Sequence, residues 1–459
     1  VLAPERCSYV LGNPPFIGAK VQSDPQRAQV RRIAALGKSG GTLDYVAAWF
    51  LKAGEYAQRS RAHIGFVSTN SITQGEQVAQ LWPLLFRRYG LEIAFAHRTF
   101  NWGSDARGKA HVHVVVIGLT RRDDEPSEKR LFSYSAINGE PDESRHTTLS
   151  PYLFDASKLA DRHLVVRETT RPVSERPLLL FGNMPNDGGA LILSPEEAAS
   201  IRADPAMAPF VRRLVGAHDS INGESRYCLW LAGASPSVIK SNSFVLERLA
   251  KSRAYRETSI RPATMRLANS PGLFGEIRQR DGEFILIPRH SSERRDYVPI
   301  SFFMDGAIAH DSALFMQDAS LNEFSLLTSA MHMSWLRNIG GRLKSDYRYS
   351  INLVYNTFPW PVLTDSEKSR LDTLAQAVLD ARASHPDATL ADLYDPDVMP
   401  ADLRKAHRAL DLAVDRLYRK APFESDRERV EHLFMLYEKM TAGLLARADK
   451  PKRRRKILN

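Results

Sequence analysis

Asn13 stands between a glycine and two prolines, in the run Gly12-Asn13-Pro14-Pro15-Phe16, directly after the short apolar stretch Ser8-Tyr9-Val10-Leu11. One chemistry that these residue types at this spacing would suit is the presentation of a poorly nucleophilic nitrogen. An aromatic amine has its lone pair delocalised into the ring. Two acceptors that take its two hydrogens hold the nitrogen closer to tetrahedral and aim the lone pair outward. The Asn13 side-chain oxygen is one such acceptor, and the Pro14 backbone carbonyl is the other. Pro14 and Pro15 fix the loop so that both oxygens face the same way. Phe16 offers a flat face on which a base swung out of a duplex can stack. The plain alternative is a simple proline turn. The position at a strand's carboxyl end, where open α/β sheets bind ligands, favours the chemical reading.

The elements around the loop alternate between strand and helix. Leu43, Val46, Trp49, Phe50, Ala53 and Ala57 recur at spacings of three and four and read as an amphipathic helix. Ile64–Val67, Ile93–Ala96 and His113–Ile117 read as strands, and Leu81–Tyr89 as a helix with Pro83 in its first turn. Apolar strands alternating with helices argue for a mostly parallel sheet covered on both faces. Phe284–Pro288 and Tyr297–Ile300 read as strands of a separate, mixed region rich in arginine. From Thr364 the chain reads as helical, opened by a Thr364/Glu367 capping box.

The chain has 459 residues, with 63 Lys and Arg against 53 Asp and Glu, a net charge of +10. With 43% hydrophobic and 25% charged residues, it is neither a disordered chain nor a fibre. The excess of positive charge favours a polyanionic partner. No apolar run approaches a membrane span. Val1–Arg6 shows no export signal, and Cys7 and Cys228 give no disulfide framework, so a cytoplasmic location is expected. His111 and His113 share one strand face without an obvious third ligand, so no metal is expected.

The Asn-Pro-Pro-Phe run resembles the loop of methyltransferases that use S-adenosylmethionine to methylate an exocyclic or amide nitrogen. More of the chain resembles one family, the MmeI-like (type IIL) restriction–modification enzymes. The resemblance is carried by Leu11–Ile17, Leu43-Asp44-Tyr45-Val46, Ser68–Ile72 and Phe100-Asn101-Trp102. It continues through Phe181-Gly182-Asn183-Met184-Pro185, Pro288–Arg294, Gly341–Ser345 and Tyr355–Pro361. In that family one polypeptide carries nuclease, adenine-N6 methyltransferase and target-recognition parts, and its partner is double-stranded DNA. The resemblance implies catalytic roles for Asn13, Pro14, Pro15 and Phe16, and a base-stacking role for Phe100 or Trp102.

Duplex DNA requires phosphate contacts for register and base contacts for sequence. Two basic clusters fit, one with Arg289, Ser292, Glu293, Arg294 and Arg295, the other with Arg337, Asn338, Arg342, Lys344 and Arg348. Arg can bind guanine bidentately, Asn can read adenine, and Glu can accept from cytosine. Gly340 and Gly341 would admit a close phosphate. Arg278 and Arg280 are weaker candidates. The bland alternative is solvated charge and internal salt bridges.

In such enzymes a glycine-rich turn and an acidic residue for the cofactor precede the catalytic loop. Only twelve residues precede Asn13 here, and no displaced copy or nuclease cluster is found downstream. The chain is therefore expected to be a fragment that binds S-adenosylmethionine poorly and joins an N-terminal remainder. The expected architecture is α/β: a partial Rossmann-like methyltransferase sheet (1–125), a connecting segment (126–180), a mixed α/β target-recognition domain (181–362), a helical C-terminal region (363–447) and a basic tail (448–459). The leading expectation is the adenine-N6 methyltransferase and sequence-recognition part of a restriction–modification enzyme. The alternative is a DNA-binding specificity module without activity of its own. Methylation of protein glutamine or RNA uses a similar loop but leaves 181–360 unexplained.

Overall fold

The computed structural model describes residues 2–37, 39–102, 112–135 and 138–448. The basic tail beyond 448 and His111 lie outside them. The first element is a short strand, β1 (Tyr9–Gly12), which pairs in parallel with β2 (His63–Thr69). Two helices connect them, α1 (Asp24–Ala34) and α2 (Tyr45–Ala57). Val46, Phe50, Ala53 and Ala57 of α2 are buried as its spacing predicts. Trp49, at the margin of that stripe, is instead 47% exposed.

The sheet runs β1-β2-β4-β3-β5-β6, with β3 (Leu91–Trp102), β4 (Val112–Arg121), β5 (Lys129–Tyr134) and β6 (Pro141–His146). It is mixed rather than mostly parallel. β4 is antiparallel to both β2 and β3, and β6 is antiparallel to β5. The chain between Trp102 and Val112 is shorter than the dozen or so residues that a parallel crossover requires. β1, β2, β3 and β5 nevertheless all run the same way. Their carboxyl ends, at Gly12, Thr69, Trp102 and Tyr134, therefore share one edge of the sheet.

Pro83 also differs from expectation. The helix begins at Val78, and Pro83 sits where it gives way to a π turn over Leu84–Arg88. Proline cannot donate the i−4 bond, so the helix widens there.

The middle of the chain holds two four-stranded sheets. One has the order β14-β9-β10-β8, with β8 (Ile192–Leu193), β9 (Val211–Val215), β10 (Arg226–Leu229) and β14 (Ile308–Ala309). The other has the order β13-β11-β15-β7, with β7 (Leu179–Phe181), β11 (Phe284–Pro288), β13 (Ser301–Phe303) and β15 (Ala313–Gln317). Tyr297–Ile300 is not a strand, because Pro299 has no N–H for a ladder and Tyr297 turns to stack on His407 at 4.0 Å. Buried Arg256 donates to the carbonyls of Pro185, Asn186, Leu267, Ser270 and Leu273. One guanidinium thus ties together loops that have no ladder of their own.

The C-terminal region is helical as expected. A helix at Ala330–Ile339 (α3) packs on α5 (Ala401–Tyr418) and α6 (Asp426–Ala448), and α4 (Asp365–Ala383) packs on α5. Thr364 and Glu367 form the capping box. His407, Leu410 and Leu433 are fully buried, so that face is core. One continuous core joins the first sheet, β11, β15 and these helices. A second core, around Leu191, Val211, Cys228 and Phe274, belongs to the outer lobe alone.

Asp411 on α5 receives hydrogen bonds from Tyr297 Oη at 2.6 Å and from the Ala330 amide at 2.7 Å. Burial, with Asp415 adding repulsion, pushes its carboxyl up to about 6 despite these bonds and Arg429. A carboxyl raised above its unfolded value binds its proton more tightly in the folded state. Its contribution is then complete at low pH and is lost as pH rises through about 6. Asp411→Asn is expected to remove this loss, about 2 kcal/mol between pH 4 and 7. Urea titrations of both proteins across that range check it.

Candidate functional site

The loop after β1 exposes Asn13 and Pro15, buries Pro14 and half-buries Phe16 against the main core. Pro14 is thus the anchor, and Asn13 projects at the carboxyl edge of the sheet. The loop is fastened on its far side. The Tyr45 amide donates to the Ile17 carbonyl at 2.9 Å, and Gln22 Nε2 donates to the Leu43 carbonyl at 2.9 Å. Asp44, at the start of α2, accepts from the Ala19 amide at 2.8 Å and from Ser71 Oγ at 2.6 Å. One carboxylate therefore joins the loop after β1 to the turn that follows β2. Sequence reading marked Asp44 only through the resemblance and gave it no role. A lone acidic residue before an apolar helix reads as a cap, yet here its side chain makes no cap bond.

Phe100 and Trp102 lie at the same edge, on β3. Phe100 stacks on Tyr134 with ring centres 5.0 Å apart, and Trp102 is 40% exposed. β2 and β4 separate them from β1, roughly 14 Å at ordinary strand spacing. Trp102 presents an accessible ring there, whereas Phe100 already has a stacking partner. His113 also reaches this edge, 3.6 Å from the Glu293 carboxylate. No group of three or more metal-type ligands occurs among the described residues.

The two basic clusters, nearly fifty residues apart in sequence, converge. β12 (His290–Ser291), β17 (Asp346–Arg348) and β16 (Gly341–Leu343) form one three-stranded sheet, with His290 opposite Arg348 and Ser291 opposite Tyr347. This sheet abuts the turn that follows β2. The Gly75 amide donates to the Ile339 carbonyl at 3.0 Å, and Arg348 pairs with Glu76 at 3.1 Å. Gly75 has φ +73°, and a Cβ there would lie 3.2 Å from the Gly341 Cα. Gly341 thus admits another stretch of its own chain, where sequence reading expected a phosphate. A Cβ at Gly340 would likewise meet the Leu336 carbonyl.

The cations of the clusters differ in what they touch. Arg337 pairs with Asp426 and donates to the Asp296 carbonyl at 2.9 Å, and Asn338 donates to the Ser334 carbonyl at 2.8 Å. Arg342 lies over the Tyr347 ring at 4.0 Å and donates to the Ser345 carbonyl, with Glu293 4.0 Å away. Arg294 pairs with Asp397. Ser292 Oγ accepts from the Arg294 amide at 3.3 Å. Arg295 is half-buried, and Arg289 lies over Phe181 at 5.0 Å. Arg278 pairs with Glu276, and Arg280 with Asp318. Lys344 is exposed at the turn between β16 and β17.

Lys20, seven residues past Asn13, was missed by sequence reading, since one exposed lysine in a loop carries no local signal. Burial, then the charges of Arg289 and Arg348 and that of Lys20, hold His290 below the usual imidazole range. Lys20 therefore lies within electrostatic reach of the three-stranded sheet.

The conspicuous Phe181–Pro185 segment is structural. Asn183 is fully buried, donates to Gln279 Oε1 and the Ala309 carbonyl, and accepts from the Arg278 and Gln279 amides. Gly182 passes so close to His310 that a Cβ would overlap its carbonyl.

Three family models match in succession: the MmeI DNA-methyltransferase domain over residues 3–133, the MmeI target recognition domain over 160–362 and the MmeI C-terminal domain over 362–445. DNA methyltransferase A of Bacillus subtilis (strain 168) is 39% identical over 436 residues, covering 94% of this chain and 48% of that protein. The solved structure of the type IIL restriction–modification enzyme MmeI in complex with DNA is 41% identical, with a TM-score of 0.83, over 96% of this chain and 58% of that one. The chain thus spans about half the length of the relatives it matches.

Proposed function

Because the chain belongs to the MmeI family of restriction–modification enzymes, with its methyltransferase, target recognition and C-terminal domains in that order, we propose that it is the catalytic-loop and sequence-reading part of a DNA adenine-N6 methyltransferase. The observation that carries this reading is an exposed, otherwise unbonded Asn13 at the carboxyl edge of the sheet, with Lys20 of the same loop near enough to His290 of the β12-β17-β16 sheet for its charge to act there. A duplex lying along that edge places a flipped base at the strand ends. Asn13 Oδ1 and the Pro14 carbonyl accept the two hydrogens of the amine and aim its lone pair. Pro14 and Asp44 keep the loop from yielding. Trp102 is the better placed of the two aromatic candidates to meet the base or its neighbour.

S-adenosylmethionine supplies the methyl group in this class. The described residues fit the substrate side of such a site. They include no glycine-rich strand–turn–helix to cradle that cofactor, so no step through it is derived. This observation favours the second reading, a specificity module that binds DNA without transferring methyl groups on its own.

Two measurements test the proposal. In the complete gene product, mass spectrometry of methylated duplex is expected to show N6-methyladenine; N4-methylcytosine or no DNA product would overturn it. For binding, Lys20→Ala and Lys344→Ala are each expected to weaken duplex affinity several-fold and to reduce the salt slope by about one. An unchanged slope in both would remove the lysines from the DNA face.

A further inference from the structure

Arg98 on β3 is half-buried and has no acceptor at hydrogen-bonding distance among the described residues. Burial and the nearby Arg427 hold its pKa below the ordinary arginine value. Its guanidinium lines a cavity of about 290 Å³ where the first sheet, the recognition region and the C-terminal helices meet. Arg337, Arg342, Gln74, Ser133 and Asp426 line the same cavity. Three guanidinium groups thus line the cavity beside one carboxylate, with a second, Glu293, 4.0 Å from Arg342. The cavity's own carboxylate is already engaged, since Asp426 is paired with Arg337 and lies 3.6 Å from Arg429.

Uncommitted donors also converge. Gln74 is only 8% exposed and its Nε2 has no partner. Arg342 Nε and Ser133 Oγ are buried and unpartnered as well. Leaving a half-buried charge and a buried amide without acceptors is costly. Water can satisfy an amide but cannot balance a surplus of positive charge. A tetrahedral oxyanion does both, and the cavity is several times the roughly 30 Å³ that a water occupies.

We propose that this cavity binds a phosphate-class oxyanion, with Arg98, Arg342 and Gln74 as its principal ligands. Occupancy ties the three parts of the chain together. A nucleic-acid backbone phosphate and free inorganic phosphate share this chemistry.

The test is thermal unfolding of the whole chain in sodium phosphate against sodium chloride at matched ionic strength. Phosphate is expected to raise the wild-type Tm saturably, by roughly 2–4 °C. Arg98→Met should lose that rise and be no less stable than wild type without phosphate, because an uncompensated charge has been removed. Gln74→Leu keeps every charge and should shift the midpoint of the phosphate titration about tenfold higher. Phosphate no better than chloride for wild type, or an equal rise in Arg98→Met, would overturn the site. Duplex affinity identifies the source. Phosphate that weakens DNA binding by wild type but not by Arg98→Met points to a backbone phosphate, and unchanged affinity points to the free anion.

Discussion

Asn13→Ala in the complete gene product is expected to abolish methyl transfer to duplex DNA while leaving duplex affinity within a few fold. Asn13 is exposed and makes no bond that holds the fold, so its loss does not disturb the loop, which Pro14 and Asp44 anchor. What disappears is one of two acceptors for the reacting amine. Removing a single preorganised hydrogen-bonding partner from a reaction centre costs on the order of 10²–10³ in rate. Loss of the tetrahedral bias on the nitrogen adds to that. Single-turnover methylation and duplex titration on the same preparation separate the two effects. An equal loss in both would mean that Asn13 holds DNA rather than the amine.

The second large effect concerns stability. Arg337→Ala is expected to lower folding stability by about 1–2 kcal/mol, from the lost pairing with a carboxylate that stays 39% exposed and from the lost bond to the Asp296 carbonyl. Arg337 joins α3 to Asp426 at the start of α6 and also holds the Asp296 carbonyl. Arg429 lies 3.6 Å from Asp426 and limits the damage. Denaturant titration of the two single variants and the Arg337→Ala/Asp426→Ala double variant gives the coupling directly. A double variant no less stable than Arg337→Ala alone would confirm that the cost includes the lost pairing. If Arg337→Ala instead kept its stability and lost only DNA affinity, the residue would belong to the DNA face.

That contrast shows where the sequence was readable. The Asn-Pro-Pro-Phe loop, the Thr364 cap and the apolar faces of α4 to α6 depend on neighbours a few residues away, and they are legible in local pattern. The direction of β4 is set by the length of a connection, and periodicity does not report it. The basic clusters were visible as composition, but the partner of each arginine was not. Asp426, Asp397 and Glu76, which engage Arg337, Arg294 and Arg348, lie 89, 103 and 272 residues from them. Arg98 was passed over because one arginine in a strand looks like a solvated edge, and only the packing of three regions brings it to the cavity wall. Asp44 carried a resemblance without a mechanism until Ala19 and Ser71 were seen to meet on its carboxylate.

The division of the hydrophobic cores has an evolutionary consequence. The lobe built on Leu191, Val211 and Cys228 has an apolar interior of its own, but Val215 and Ala309 of its sheet share a third core with Phe284, Leu286 and Phe315, so exchange between relatives as a unit must carry that face of β11 and β15 with it. The seam where Gly75 touches Gly341 belongs to the larger body, in which sheet and helices share one interior. Inheritance there must be concerted: a transplanted reading surface has to bring a backbone that still leaves room for its neighbour.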